Sequence, residues 1–390
     1  MRTLQKFSGI NNVKPTEELA TSDLVEATNI DLDLQGRARR RAGYEQISAV
    51  RHGNVWEAAG FTLATRGEDG DLINVDTDTV LVPALGHTRI WYWNLPDGRT
   101  LYSNGTAQGI VSAAAATPWG VPMPTALGDA LDVVGQLHPG KYQWALTHQR
   151  LSDGIEGPPI YSGAGAIDVA LGGVSFSSIP VPAGYRTRVY LTSHYGGERY
   201  LAGTTTNGFF VFTGKNETLQ LRCPTDLMQT PPVGRLVAFW RGRTLVAVGN
   251  VLFASRPNAW EIFDLQRDYK QFSAPITLVQ PVDGGIWVGT EKELAFLSGP
   301  KWDDLVREVK VMGTTVLGSG CSVPGEQIAV GRDRGRGDCV VCIADGWLVA
   351  GMADGSLVPL TLDRYRADVT EVVATFREVD GVPQYIATEQ

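Results

Sequence analysis

Four cysteines carry the most nucleophilic side chains of this 390-residue chain, and two of them are closely spaced. Cys339 and Cys342 form a CVVC motif, a spacing found in redox centres and zinc sites. Side chains three positions apart on a strand point to opposite faces, and DCVVCIADGWLVAG reads as two strands around an Asp-Gly turn. A zinc ribbon also needs a second ligand pair, which Cys223 and Cys321 do not provide. We therefore expect buried structural cysteines.

Carboxylates and histidines give weaker signals. The segment DLDLQG begins like a calcium loop, but Gln35 and Ala42 occupy positions where an EF-hand needs acidic ligands. A strand that ends in an Asp-bearing turn is the simpler interpretation. No two of the five histidines have the spacing that places both on one strand or helix face for a metal, and no nucleophile elbow or P-loop is present. We expect no enzymatic activity, no metal and no cofactor.

An arginine cluster follows the first 36 residues: Arg37, Arg39, Arg40 and Arg41. One interpretation is a solvated turn before the first long strand. The other is an arm that docks on an adjacent subunit, because guanidinium groups pair well with carboxylates across interfaces. The preceding segment contains Pro15 and the cluster Thr21-Ser22-Asp23, which predicts a helix cap before a short helical run.

A second arginine-rich segment, VGRDRGRGDCV, contains Arg332, Arg334 and Arg336. Its glycines and charges predict a solvated hairpin loop, in which the Arg-Gly-Asp tripeptide is a chance match. The same loop could also contact a neighbouring subunit.

The remaining chain predicts short strands almost throughout. Asp-Gly pairs recur seven times, mostly between short runs of Val, Ile, Leu, Phe and Trp, and Asp-Gly suits two-residue hairpins. Long amphipathic helices are missing, so we expect an all-β protein. Several stretches resemble one another loosely over about 40–50 residues, the pattern of a β-propeller blade.

A different pattern interrupts the repeats between residues 121 and 216. Strands there are longer and alternate clearly: Tyr142, Trp144 and Leu146 share one face, and Tyr190 lies opposite Val189 and Leu191. This spacing is typical of a two-sheet sandwich, and the segment LHPGKYQWALTH resembles an immunoglobulin or fibronectin III-like module. We predict an arm at 1–36, propeller parts at 37–120 and 217–390, and an inserted module at 121–216.

Charge and hydropathy limit the partners. The net charge of −8 and pI near 5.3 argue against nonspecific wrapping of nucleic acid. No secretory signal and no membrane-length apolar run are visible, so we expect folding in a cytoplasm and no membrane span.

The segments INNV, ATNIDLDLQG and RRRAGY resemble the N-terminal part of phage virion tail proteins. Residues 235–299 are similar to the propeller part of the same proteins, which include the nozzle or tubular proteins of short-tailed phages. This resemblance implies a virion protein, made in the host cytoplasm, that forms a homo-oligomeric, hexameric ring below the head-to-tail adaptor. It also implies contacts with other tail proteins and transient passage of DNA, which an acidic channel would bind weakly.

The alternative is a carbohydrate-binding or carbohydrate-cleaving propeller that recognises a host surface. The 10 Trp and 12 Tyr residues could line a sugar-binding face, although propeller and sandwich cores also use these residues for packing. A pair of close carboxylates in a central pocket would favour this alternative.

Overall fold

The structure is a computed structural model that describes residues 6–33, 35–43, 45–163, 165–330, 333–379 and 381–389. Within these ranges the regular elements are 38 strands and three 3-10 helices, Thr16–Glu18, Asn216–Thr218 and Gly325–Gln327. The prediction of an all-β protein is confirmed. No helix in the described ranges is long and apolar enough to cross a membrane.

Five antiparallel sheets, numbered here in chain order, make up most of the described chain outside the middle segment. Sheet 1 comprises Gly53–Glu57, Thr62–Arg66, Asp71–Asn74 and Thr79–Val82, and sheet 2 comprises Trp91–Asn94, Thr100–Ser103, Gln108–Val111 and Ala116–Thr117. Sheet 3 comprises Arg235–Trp240, Arg243–Val248, Val251–Arg256, Ala259–Phe263 and Tyr269–Gln271. Sheet 4 comprises Ile276–Val282, Gly285–Thr290, Glu293–Ser298 and Val306–Met312, and sheet 5 comprises Cys321–Pro324, Asp338–Ala344, Trp347–Gly351 and Leu357–Pro359. Strands that neighbour in sequence also pair in space, with two exceptions. In sheet 3, Tyr269–Gln271 pairs with Val251–Arg256 and not with Ala259–Phe263. In sheet 5, the hairpin Ala329–Val330 and Asp333–Arg334 interrupts the order.

Turn chemistry explains these tight connections. Asp345 and Gly346 have φ of 49° and 77° and join two strands that pair from Ala344 and Trp347 outward. Asp and Gly adopt the left-handed region at little cost, which the two-residue hairpin requires. The predicted hairpin in this segment is confirmed.

Consecutive sheets pack face to face through separate apolar layers. Leu63 and Leu72 of sheet 1 share a cluster with Tyr102 and Val111 of sheet 2. Similar clusters join sheets 2 and 3, sheets 3 and 4, and sheets 4 and 5. A terminal hairpin, Val372–Val379 paired with Val382–Glu389, covers the free face of sheet 5 with Phe376 and Tyr385. The core therefore consists of layers between sheets.

The middle segment, residues 121–216, follows sheet 2 and precedes sheet 3 in the sequence and forms its own sheets. One contains Asp129–Val134, Gly172–Ser177 and Phe210–Phe212; another contains Trp144–Arg150, Ile160–Tyr161, Tyr185–Thr192 and Arg199–Thr205; and a third pairs Gly140–Tyr142 with Ile167–Val169. Val174 and Phe176 of the first sheet pack on Leu146, Val189 and Leu191 of the second. Tyr142 and Trp144 join this core, whereas Tyr190 faces a separate cluster with Cys223. The predicted faces of these strands are confirmed.

The N-terminal arm has little regular structure. Gly9–Ile10 pairs in parallel with Asp23–Leu24, and Ile30–Leu32 pairs with Ala38–Arg40. The predicted helical run after Thr21-Ser22-Asp23 is wrong, because this segment continues as strand and turn. The Asp23 carboxylate accepts hydrogen bonds from the Asn11 side chain and the Ala20 N–H instead of capping a helix. Asp side chains compete with helical bonding in this way.

Candidate functional site

The predicted arginine cluster lies on an exposed hairpin of the arm. Arg40 pairs with Ile30 and Arg39 with Asp31 in the strand register, so the side chains of Arg39 and Arg40 point to opposite faces. The Arg41 Nε atom lies 3.0 Å from Asp31 Oδ1, within the same hairpin. The side chains of Arg37 and Arg40 are exposed. The cluster thus places guanidinium groups on both faces of the hairpin, and the Arg41–Asp31 ion pair lies within it.

Two residues of the arm, Ser8 and Asn12, form hydrogen bonds with residues of the same chain that are more than 350 positions away in the sequence. Asn12 donates from its backbone to Arg364 O (3.0 Å) and from its side-chain amide to Arg366 O (2.8 Å). The Arg366 N–H donates to the Asn12 amide oxygen (2.8 Å), and Arg364 Nη1 donates to Ser8 O (3.0 Å). The interpretation of an arm that leaves the body is therefore wrong for residues 8–12.

Residues 13–43, which comprise the rest of the arm and the arginine cluster, are largely exposed where the structure describes them. Val25 is 66% exposed, and Val13 and Ile30 are 41% and 37% exposed. Apolar side chains beside a cationic hairpin are typical of a segment that another surface covers.

The second arginine-rich segment is only partly described. Arg332 and Gly331 lie outside the described residues, as does Tyr44 of the arm. Arg334 and Arg336 are exposed, and Arg334 Nη1 donates to Glu326 O at 2.6 Å. Asp338 is already the first residue of a sheet 5 strand, so the Arg-Gly-Asp tripeptide spans a loop and a strand start.

The cysteines are free and buried, as predicted. Cys339 packs under the terminal hairpin and Cys342 packs between sheets 4 and 5, so the CVVC motif points to two different cores. Burial raises the pKa of Cys321 and Cys342 to about 12. Thiols that remain protonated are poor nucleophiles and poor metal ligands.

The carboxylates and histidines that the sequence offered as candidate ligands are also dispersed. Asp33 accepts hydrogen bonds from the backbone N–H groups of Gln35 and Arg37, which makes the Asp-bearing turn that the sequence indicates. His148 is buried, whereas the rings of His138 and His194 lie 6.2 Å apart, a pairing that their spacing does not signal. Within the described ranges, no three His, Cys, Asp or Glu side chains are grouped as a metal site would require.

A cleft of about 720 Å³ lies between the middle segment and sheet 3. Two buried carboxylates line it. Glu156 accepts from Thr147 Oγ1 and the Tyr190 hydroxyl, both at 2.5 Å, and pairs with Arg188 at 2.8 Å. Glu261 pairs with Arg150 at 2.9 Å across the junction. Arginine side chains hold both carboxylates in place, and the Arg150–Glu261 pair joins the middle segment to sheet 3.

A second cavity, of about 470 Å³, lies where the first strands of the sheets converge. Its wall combines Trp56 of sheet 1, Trp91 and Trp93 of sheet 2, Val237 of sheet 3 and Gln280 of sheet 4. Gly318 and Gly320, before sheet 5, and Val373 and Ala374 of the terminal hairpin complete it. No carboxylate is among its described lining residues. We call it the central cavity.

Two cavities of larger volume share lining residues with the central cavity. A cavity of about 760 Å³ shares Asn54 and Arg89 with it and includes Glu68 and His87. Another, of about 770 Å³, shares Trp56, Trp93 and Gln280 and includes Glu57 and Asp338. Glu57 and Asp338 therefore lie in a space that shares the indole side chains of Trp56 and Trp93 with the central cavity.

No protein-family model and no curated protein sequence matches the chain. Among solved structures, it is similar to the extracellular domain of the putative one component system BT4673 from B. thetaiotaomicron, with 8% identity and a TM-score of 0.30. That match covers 90% of this chain, which spans 44% of the other. It is also similar to a putative 6-phosphogluconolactonase from Bacteroides uniformis ATCC 8492, with 12% identity, a TM-score of 0.26, and coverage of 64% and 76%. TM-scores this low assign neither a fold nor a function.

Proposed function

We propose that the chain is a structural virion protein of a tailed phage: a β-propeller with an inserted immunoglobulin or fibronectin III-like module and an N-terminal docking arm. The fold proposal rests on antiparallel sheets arranged around one cavity, which is lined by the first strands of sheets 1 to 4 and by the residues just before sheet 5. Propeller blades have this relation to their channel. The terminal hairpin would occupy the place of an incomplete further blade. Residues 121–216 would form the inserted module.

The arm carries the functional proposal. Ser8 and Asn12 are fixed to residues 364–366 by hydrogen bonds, while the described part of residues 13–43 exposes apolar side chains and a cationic hairpin. Ordering such a segment costs about 1–2 kcal/mol per residue, which contact with a partner offsets. The partner would be a second copy of this acidic chain, whose carboxylates pair with guanidinium groups.

This arm fits the tail-protein resemblance. In a hexameric ring, each arm would cover its neighbour, and the ring would contact the head-to-tail adaptor and other tail proteins. DNA would pass through the ring, where net negative charge would keep its binding weak. Catalysis and cofactors have no part in this proposal.

The test compares charge-reversal variants of the arm by light scattering and negative-stain electron microscopy. Arg39→Glu/Arg40→Glu/Arg41→Glu should remain folded and lose ring assembly. Arg37→Glu/Arg40→Glu should also weaken assembly while leaving the Arg41–Asp31 pair intact, which separates docking from hairpin integrity. Circular dichroism and melting temperature should change little, because the sheets have their own core.

Arg267→Glu/Lys292→Glu/Lys301→Glu is the matched control for the triple variant. These three side chains are exposed and lie near sheets 3 and 4. Their replacement changes the net charge by the same amount as the arginine triple variant does. The control should assemble like the parent protein. Equal assembly of all variants at physiological salt would contradict the docking role, and a monomeric parent protein at every concentration tested would contradict the ring.

A further inference from the structure

The terminal hairpin has half as many strands as most of the sheets that precede it. Sheets 1, 2, 4 and 5 each contain four strands, whereas Val372–Val379 and Val382–Glu389 form a sheet of two. Val373 and Ala374 line the central cavity, as the first strands of sheets 1 to 4 do. Val372–Val379 therefore stands in the position of a first strand, and Val382–Glu389 in that of a second. Within the described ranges, no third strand pairs with it.

The second strand of the terminal hairpin has a free edge with unpaired backbone groups. Val379 pairs with Val382 across two intervening positions, and the closing pair of such a hairpin is hydrogen-bonded. Bonded and non-bonded pairs alternate along antiparallel strands, so Tyr385, Ala387 and Glu389 direct their N–H and C=O groups away from the partner strand. These groups have no backbone hydrogen bond to another element in the described part of the chain. Such an edge is a template for pairing with a further strand.

The arginine cluster lies on a hairpin with a similar free edge. This two-stranded hairpin, residues 30–41, is called the arm hairpin here, and it pairs with no other strand that the structure describes. The Arg41 N–H donates across it to Asn29 O at 2.8 Å, so these two residues form a bonded pair. By alternation, the backbone N–H and C=O groups of Ala38 and Arg40 point to the free edge.

The two hairpins carry opposite charge. From residue 368 onward, the sequence contains one basic residue, Arg377, and five acidic ones: Asp368, Glu371, Glu378, Asp380 and Glu389. The side chains of Glu378 and Glu389 are exposed. The arm hairpin contains four arginines and two aspartates. Electrostatic attraction would therefore bring the two free edges together and oppose pairing of either hairpin with a copy of itself.

We infer that the edge of Val382–Glu389 receives the arm hairpin of a neighbouring copy, with Ala38–Arg40 as the adjoining antiparallel strand. The combined sheet would have four strands, the number found in sheets 1, 2, 4 and 5. In the single chain the two hairpins do not pair within the described residues, although bonds at Ser8 and Asn12 hold the arm to residues 364–366. This favours a second copy as the donor. The inference rests on the proposed ring and names the surface that receives each arm.

Cross-linking between two single-cysteine variants tests the contact directly. Ala38→Cys and Ala387→Cys change exposed residues, whereas the four native cysteines are buried. If Ala38 lies opposite Tyr385, Ala387 or Glu389, the two new thiols are in opposite or diagonal positions. In an equimolar mixture, a short bismaleimide should join position 38 of one variant to position 387 of the other, as mass spectrometry of the joined peptides would show. Each chain carries one new cysteine, so this link joins two copies.

Ala114→Cys provides the matched control for the cross-link. It changes an exposed alanine beside sheet 2, and it replaces Ala387→Cys in the mixture. The control mixture should give no link between positions 38 and 114.

Ala387→Pro tests the backbone edge. Proline removes the outward N–H of residue 387 without removing a hydrogen bond of the terminal hairpin. The same strand already has Pro383 at an outward-facing position, so the variant should fold. The protein concentration at half assembly should rise at least about 5-fold, the effect of losing one backbone hydrogen bond per contact. Ala387→Ser keeps the N–H and should assemble like the parent.

The outcomes separate this inference from the proposed ring. The inference alone would be overturned if the parent assembles, Arg39→Glu/Arg40→Glu/Arg41→Glu does not, and neither a 38–387 link nor an effect of Ala387→Pro is found. A 38–387 link found only within single chains of Ala38→Cys/Ala387→Cys would also overturn it, because each arm would then complete its own hairpin. A parent protein that stays monomeric would overturn both the inference and the ring.

Discussion

His148 illustrates how a single buried residue links stability to pH. It is 2% exposed on the strand Trp144–Arg150, and its Nδ1 atom lies 3.0 Å from Thr187 Oγ1. Burial lowers the pKa of His148 to about 4, below the ordinary value of 6.5. The unfolded chain therefore binds a proton at a higher pH than the folded chain does. The unfolding free energy associated with neutral, buried His148 is therefore fully present above pH 6.5 and is lost as pH falls toward about 4.

His148→Gln tests this directly, because it removes the titrating group while retaining hydrogen-bonding atoms. Between pH 6.5 and 4, the parent should lose about 1–2 kcal/mol more unfolding free energy than the variant, as urea unfolding at several pH values would show. His138→Gln alters an exposed histidine and should follow the parent. Parallel pH profiles for the parent and His148→Gln would exclude His148 as the source.

At the scale of elements, the junction between the middle segment and sheet 3 depends on the Arg150–Glu261 pair. Glu261 is 4% exposed, and Arg150 Nη2 lies within 3.0 Å of both its carboxylate oxygens. The pair joins residues 111 positions apart. Removing one partner of a buried pair leaves the other charge uncompensated, which is strongly destabilising.

Glu261→Gln should cost about 3 kcal/mol of unfolding free energy, at the lower end of the usual range because Arg150 keeps its contact with Asp153. Chemical denaturation would measure this cost. Limited proteolysis should also cut the connections at residues 118–128 and 219–234 faster. Glu198→Gln breaks the exposed pair with Arg222 and should cost less than about 1 kcal/mol. Similar costs for the two variants would contradict the junction role.

Sequence patterns predicted elements better than they predicted sites. The Asp345-Gly346 turn and the alternation at Val189, Tyr190 and Leu191 are local signals, and both were correct. The helix predicted in the arm was wrong because Asp23 bonds to Asn11 across a parallel strand pair. The residues next to Asp23 in the sequence do not reveal that contact. The central cavity collects residues from six separate segments, and no periodicity links Trp91 to Thr277. Long-range packing decides such sites.

At the scale of the whole molecule, residues in the first quarter of the sequence form hydrogen bonds with residues near its end. Asn12 bonds to Arg366, and Arg89 bonds to Glu371 and to Val372 O, over separations of 354, 282 and 283 positions. These contacts fix the segment that leads into the terminal hairpin. The hairpin covers Cys321 and Cys339 with Phe376 and Tyr385, and the Tyr385 hydroxyl donates to Ser319 O at 2.7 Å. The accessibility of these thiols thus reports whether the hairpin is closed.

Arg89→Met should therefore accelerate the modification of Cys321 and Cys339 by a thiol reagent under native conditions. Losing a hydrogen bond from a charged donor costs roughly 1.5–3 kcal/mol, which predicts at least about a 10-fold rise in the rate of local opening. Cys223 packs on Ala145 and Tyr190 of the middle segment and serves as an internal reference, because its labelling should not change. Mass spectrometry distinguishes the three sites. Arg222→Met, an exposed control, should leave all rates at the parent level. If Arg89→Met raised labelling equally at Cys223, the variant would be unfolding globally, and unchanged labelling at Cys321 would show that Arg89 does not hold the hairpin.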